Sequence, residues 1–332
     1  MTSVSGGEVR AAHVKARGGF GARLFRHNRL ARVGAVLVTL FLLVALFAPV
    51  LAPPQGNCRR ALGMEGTQTV PGPLAYLREV VATPGACLQM PREGFAARPN
   101  PPAPDAPLGR VNGYDIRYGL VWGTRTAIFL GLTVLAITVT IGSLVGLTAG
   151  FLGGAVDNLL MRLTDVIFAF PALVLVLVLV AALGPGLLNI IIALSLVSWA
   201  GLARVVRSEV LRLRELEFAA AAQSLGASRA RVALRHVLPN AIGPLLTIVV
   251  LEMGSLPIVA GTLSFLGLGT PLGYADWGQL IALAQKWIQG PPGEPFAYWY
   301  VTLFPGLCIF AYSLGWSLLG DSLAEALDPR NR

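Results

Sequence analysis

Charge is what this sequence lacks. Of 332 residues, 13% are Asp, Glu, Lys or Arg, against roughly 25% in an ordinary soluble domain. That is too little to coat the surface of a soluble chain this long. Cysteine is scarce too, at three residues, which excludes a disulfide-dense small scaffold. No His or Cys spacing suggests zinc. No GxxxxGK[ST] stretch occurs, so there is no loop to cradle a nucleotide phosphate. The chain is therefore expected neither to bind nor to hydrolyse ATP. No catalytic residue, cofactor or metal site is expected.

Aliphatic residues fill the gap. The chain is 55% hydrophobic with an ordinary 8% aromatic share, so the excess is Leu, Val, Ala and Ile. This composition excludes disorder and points to an all-α polytopic membrane protein. A bilayer core of roughly 30 Å needs about 20 apolar residues in a helix. Val33–Gln55, Thr126–Val156, Val166–Ala203 and Pro295–Gly320 carry no charge, and Val237–Ala275 carries one, Glu252. Val166–Ala203 is too long for one crossing, and Gly184-Pro185-Gly186 splits it with a turn signal. Six transmembrane helices are expected, near 33–52, 126–149, 166–184, 187–206, 241–268 and 301–320. Continuous rather than alternating apolarity argues against a β-barrel. The first run is long for a signal peptide and is read as a retained helix.

The net charge of +9 has a location. Residues 1–32 hold seven basic residues, and Arg204–Arg235 hold seven more. Four spans separate the two segments, so they share a side. The positive-inside rule makes that side the cytoplasm, with both termini there. A nucleic-acid partner is not expected, because aromatics do not interleave with the basic residues. The expected organisation is a cytoplasmic arm 1–32, a first helix 33–52 and a long extracytoplasmic loop 53–125. A five-helix core 126–320 and a cytoplasmic tail 321–332 follow.

The cytoplasmic segment between spans four and five, 207–240, is the most informative stretch. Val210, Leu213, Phe218, Ala221 and Leu225 recur at roughly helical spacing. Gly226 stops that helix, because glycine takes the left-handed conformation cheaply. Ser228 caps a second short helix, Arg229 to His236, which Pro239 ends. Ala220, Ala221 and Ala222 form a small, smooth patch suited to close docking. On these residues alone, a helix–turn–helix driven by a cytosolic motor and an amphipathic loop lying on membrane lipid both fit.

The segment resembles the Glu-Ala-Ala-x-x-x-Gly coupling loop of importer-type ABC transporter permeases. Other stretches fit the second, C-type permease of dipeptide and oligopeptide importers in the same order. They include FRHNRLARVGAVLVTLFLLVALFAPVLAP (25–53), PLGRVNGYDI (107–116), TAGFLGGAVDNLLMRLTDVIFAFPALVL (148–175) and LGPGLLNIIIAL (183–194). RHVLPN (235–240), LSFLGLG (263–269) and LFPG…LLGDSLAEALDPR (303–330) follow. The resemblance spans about four-fifths of the chain. It implies a six-helix importer permease in the bacterial or archaeal inner membrane. It also implies a homologous second permease as heterodimer partner, two cytosolic ATP-binding subunits and an extracytoplasmic substrate-binding protein. Glu217, Ala220, Ala221, Ala222, Gly226 and Pro239 would form the ATPase-coupling loop. The sequence departs from the family where Ala220 replaces the acidic residue of the triplet and Gly261 replaces a Glu. The Thr-Asp and Arg-Asp pairs before span two are largely lost across Arg110–Asp115.

Further residues stand out. Glu252 lies mid-span, where a carboxylate is rare and a functional hypothesis by default. It is a candidate for the translocation pathway, or a protonated or paired core group. Asp157, Arg162 and Asp165 lie between spans two and three, as a junction near the partner or a plain solvated loop. Cys58 and Cys87 share the outer loop and could pair where that face is oxidising; their spacing does not decide it. The Pro-rich loop around Arg98–Pro102 and the Trp277–Trp299 segment are read as receptor-facing or as variable loops. Within the same transporter class, nickel, glutathione and oligosaccharide stand as alternative cargoes. An ion-gradient-driven secondary transporter is the rival of a different class, though no internal repeat supports it. A membrane-embedded enzyme ranks last, since no paired carboxylates or His cluster lies at a membrane face.

Overall fold

The computed structural model describes residues 28–55, 58, 87–94, 96, 98–217, 224–226, 228–232, 235 and 238–327. Most of the arm 1–32, loop residues 59–86, Ala220, Ala221, Ala222 and tail residues 328–332 lie outside the described residues.

Asn28 opens the first helix. Its Oδ1 accepts from the Leu30 and Ala31 N–H groups, two donors that a helix start otherwise leaves unpaired. Helix α1 runs Arg29–Leu46. A break at Phe47 leads to the short α2, Ala48–Leu51, with Pro49 in its first turn. The strands β1 (Arg110–Val111) and β2 (Tyr114–Asp115) form a two-residue hairpin. Its turn is Asn112-Gly113, both with positive φ, as a tight type I′-like hairpin requires.

Asp115 then caps α3, Ile116–Leu152. Next come α4 (Gly154–Phe168), α5 (Ala172–Leu183) and α6 (Leu187–Arg214). The short α7 (Arg229–Val232) precedes α8 (Leu238–Phe265), α9 (Trp277–Ala284) and α10 (Trp299–Leu327). Among the described residues, five helices are long and apolar enough to cross a membrane: α1, α3, α6, α8 and α10. The pair α4 and α5 makes a sixth span if counted together.

That pair stands where one span was expected at 166–184, and it begins earlier, at Gly154. The chain bends by 82° between Phe168 and Ala172. Pro171 supplies the cause: it has no N–H to continue the ladder, and it disfavours the helical conformation at Phe170. Other boundaries also move. Helix α3 begins at Ile116, inside the segment 53–125 read as loop. Helix α6 continues to Arg214, inside the segment read as coupling loop. Of the second short helix expected over Arg229–His236, Arg229–Val232 is helical, while Ala233, Leu234 and His236 lie outside the described residues.

Helix α3 carries glycines at 142, 146 and 150, four residues apart and so on one face. A Cβ at Gly146 would sit 2.5 Å from the Ala203 carbonyl oxygen and 2.6 Å from Val206 Cβ. Gly142 and Gly150 meet Leu202 and Val210 in the same way. Small residues let backbones approach where lipid offers no hydrophobic drive for helices to associate. Gly34 of α1 meets Gly315 of α10 by the same device. Phe41, Trp277 and Tyr312 pack edge to face at the centre of the bundle.

Candidate transport and coupling site

Two ends of the bundle differ in chemistry. At one end, Asn28 Nδ2 donates to Glu325 Oε2 at 2.9 Å, joining the start of α1 to the end of α10. The ends of α3 and α6 meet there too, where Arg214 Nη1 donates to the Gly150 carbonyl at 2.8 Å. Helix α4 is held against α6 by two ion pairs. Arg207 donates from Nε and Nη2 to the two oxygens of Asp157, at 2.5 and 2.6 Å. Arg204 Nη2 donates to Asp165 at 2.6 Å, and its Nε donates to Thr164 Oγ1. The Arg204 guanidinium also lies 4.1 Å from the Phe168 ring centre, a cation–π distance.

Helix α6 leads from this braced end into the rest of the segment 207–240, expected from the sequence to be a coupling loop. Glu217 is exposed. Gly226 has φ +85° and open space about it, so a left-handed turn breaks the chain where the sequence placed one. Ser228 Oγ accepts from the Arg231 N–H at 3.4 Å. Pro239 lies in the first turn of α8.

Midway through the bundle, α3, α6 and α8 enclose a cavity of about 320 Å³. Thr138, Val139, Ser198, Gly201, Val249 and Glu252 are among its lining residues. Glu252 is half-buried, and Ser255 Oγ lies 2.9 Å from its Oε2.

The opposite end carries a small folded cap. Cys58 and Cys87 are joined, with sulfurs 2.09 Å apart. Both are buried, and Tyr118 donates its hydroxyl to the Cys87 carbonyl. Trp122 Nε1 donates to the Ala52 carbonyl. Arg110, on the hairpin, pairs with Glu93 at 2.6 Å and Asp105 at 2.9 Å. The cap reaches the loop before α9 through the Met90 N–H, which donates to the Gly273 carbonyl.

Helix α9 is anchored by Asp276. Ser264 Oγ and Thr270 Oγ1 donate to its Oδ2 at 2.7 and 3.3 Å, and the Gly278 N–H donates to Oδ1. Burial pushes the Asp276 carboxyl above the usual carboxylate range, against the pull of these donors.

Residues 142–332 match the family described as "Binding-protein-dependent transport system inner membrane component". Residues 22–62 match the "N-terminal TM domain of oligopeptide transport permease C". The chain belongs to the binding-protein-dependent permease family. It is 31% identical to the oligopeptide transport system permease protein OppC of Bacillus subtilis, over 93% of this chain and 88% of that protein. It is 32% identical to the dipeptide transport system permease protein DppC of Alkalihalophilus pseudofirmus, over 92% and 87%. A glutathione transport system permease protein, GsiD of Pectobacterium atrosepticum, is 35% identical over 66% and 70%.

The permease is thus a multi-pass protein of the bacterial inner membrane and a subunit of a binding-protein-dependent importer. Such a permease works with ATP-binding and substrate-binding partners, and the family is one of permease subunits, normally not catalytic. The secondary-transporter reading gives way to this family assignment. Sequence reasoning missed Asp276, although it ends the apolar run Val237–Ala275. It also missed the glycine stripe, whose four-residue spacing was visible, and the Asn112-Gly113 hairpin signal. The partners Arg204 and Arg207 were read as topology charges, not as ligands of Asp165 and Asp157.

Proposed function

We propose that this permease supplies half of the pathway of an ATP-driven importer of dipeptides or oligopeptides. It pairs with a homologous second permease, two cytosolic ATP-binding subunits and an extracytoplasmic substrate-binding protein. The names of the relatives at 31–32% identity favour peptides. The relative named for glutathione favours, as second reading, a small peptide-like thiol. The end bearing Asn28, Arg204, Arg207 and Glu325 faces the cytoplasm, which the concentration of basic residues there supports. Glu217, Ala220, Ala221, Ala222, Gly226 and Pro239 form the contact with the ATPase, and Glu252 lines the pathway.

The observation that carries the coupling role is the double brace of α4 on α6. A push on the segment after Arg214 reaches the membrane through a lever only if that lever is stiff. Arg207 on Asp157 and Arg204 on Asp165 tie the second half of α6 to α4, the first half of the bent pair. Closure of the ATPases would then turn these helices together, between outward-open and inward-open states.

The test is copurification of the ATP-binding subunits with tagged permease, with residues 218–226 intact or replaced by a Gly/Ser stretch. Capture by the intact chain and loss with the replacement is the expected result. Equal capture by both would remove the segment from the contact. Uptake of a labelled dipeptide that depends on ATP and binding protein tests the cargo.

A further inference from the structure

We propose that the cavity between α3, α6 and α8 is a binding site for a protonated amine, held by the Glu252 carboxylate. The inference rests on the peptide-importer reading and assigns the amine to the amino terminus of the peptide in transit. The cavity is otherwise walled by Val134, Leu135, Val139 and Leu256. Among the described residues, no cation forms an ion pair with Glu252. A carboxylate in apolar surroundings is costly unless it finds an opposite charge. A second group points the same way. Thr138 is 4% exposed, lines the same cavity and has no hydrogen-bond partner for its hydroxyl.

Buried hydroxyls are nearly always paired, so an orphan one in the wall of a cavity is a polar atom in want of a partner. An ammonium has three donors and no acceptor. Glu252 and Ser198, which line the cavity from α8 and α6, can each take one of them, and the Thr138 hydroxyl in the α3 wall can take the third once its side chain rotates inward. At about 320 Å³ the cavity lies at the small end of the range for ligand sites, roughly 300–1,000 Å³. That suits one terminal residue with its amine. The apolar walls accept a variety of side chains, while the carboxylate fixes the end of the chain.

The test uses the whole transporter in proteoliposomes, with Cys308→Ser and a reporter thiol at Val139→Cys or Ser198→Cys. Cationic and anionic methanethiosulfonate reagents are compared, each normalised to its rate with a free thiol. A focused negative site should favour the cation by about tenfold or more. Glu252→Gln should bring the ratio close to one. A free-amine dipeptide delivered by the binding protein should slow labelling, and the same dipeptide N-acetylated should not when supplied at high concentration.

A ratio near one in the parent, or one that Glu252→Gln leaves unchanged, overturns the site. Absence of labelling at both reporters also overturns it. Equal protection by the acetylated dipeptide overturns the amine assignment. Peptide uptake is measured in the same vesicles. Uptake with a ratio of one sinks the site and spares the importer reading. Cation selectivity without peptide uptake supports the site and sinks the peptide reading instead.

Discussion

Asp157 and Arg207, fifty positions apart in the chain, meet in a two-pronged ion pair that locks α4 to α6. The two planar groups match, so both bonds are short and the geometry is fixed. The Asp157 side chain is 14% exposed and that of Arg207 32%, so solvent screens the pair only in part.

Breaking this pair should uncouple as well as destabilise. Asp157→Asn or Arg207→Gln each leaves one half-buried charge unpaired, at about 1–3 kcal/mol after allowance for partial exposure. Binding-protein-stimulated ATP turnover should fall in each single variant. The exchange Asp157→Arg with Arg207→Asp should recover part of it. No recovery, with the double variant folded, would show that the pair does not act as a unit.

Close contact of α3 and α6 should tolerate no added methyl at its centre. Gly146→Ala would drive a Cβ into the Ala203 carbonyl and Val206, at about 1–3 kcal/mol for overpacking. Thermal unfolding of the complex in detergent should shift downward. Gly306→Ala is the control, since a Cβ there meets nothing within 4 Å. Equal shifts for the two variants would rule out the tight-approach account.

The Cys58–Cys87 link should appear as one cross-linked peptide in a non-reducing digest. A membrane-impermeant maleimide should label either cysteine only after reduction. Cys58→Ser should lower the melting temperature of the cap, as loss of a native cross-link commonly costs about 2–5 kcal/mol. Labelling without reductant would refute the pairing. Failure to label intact right-side-out cells after reduction would refute the outward orientation of this end.

Asp276 should give stability a pH slope of known sign. Burial raises its folded value above the ordinary Asp value of about 3.9. The folded protein therefore keeps this proton where the unfolded chain has lost it. The contribution is complete below the unfolded value and disappears as pH rises through the folded one. Melting temperature should fall with rising pH across that window, and Asp276→Asn should flatten the fall. The same slope in both proteins would assign it to another group.

How much of this was readable differs from residue to residue. Six apolar stretches were visible because a bilayer sets a length and excludes charge, and both are local properties. Gly226 was visible as a stop because its backbone freedom is its own. Pro171 was equally visible, yet the 82° bend beside it was not. A proline removes a hydrogen bond, but the angle that follows depends on what the two halves pack against. The charges of Arg204 and Arg207 set topology by their number, and no count reveals which carboxylates they meet.

The sequence by itself determined that this chain lives in a membrane, roughly where its apolar helices lie, and which family it resembles. Each of these follows from composition and short-range pattern. Tertiary structure decided that Asp157 faces Arg207, that Gly146 lies under Val206, that Asp276 is buried under Ser264, and that Thr138 and Glu252 share one cavity. These depend on which helix faces meet, and that choice is made by many small packing and hydrogen-bonding terms between residues far apart in the chain.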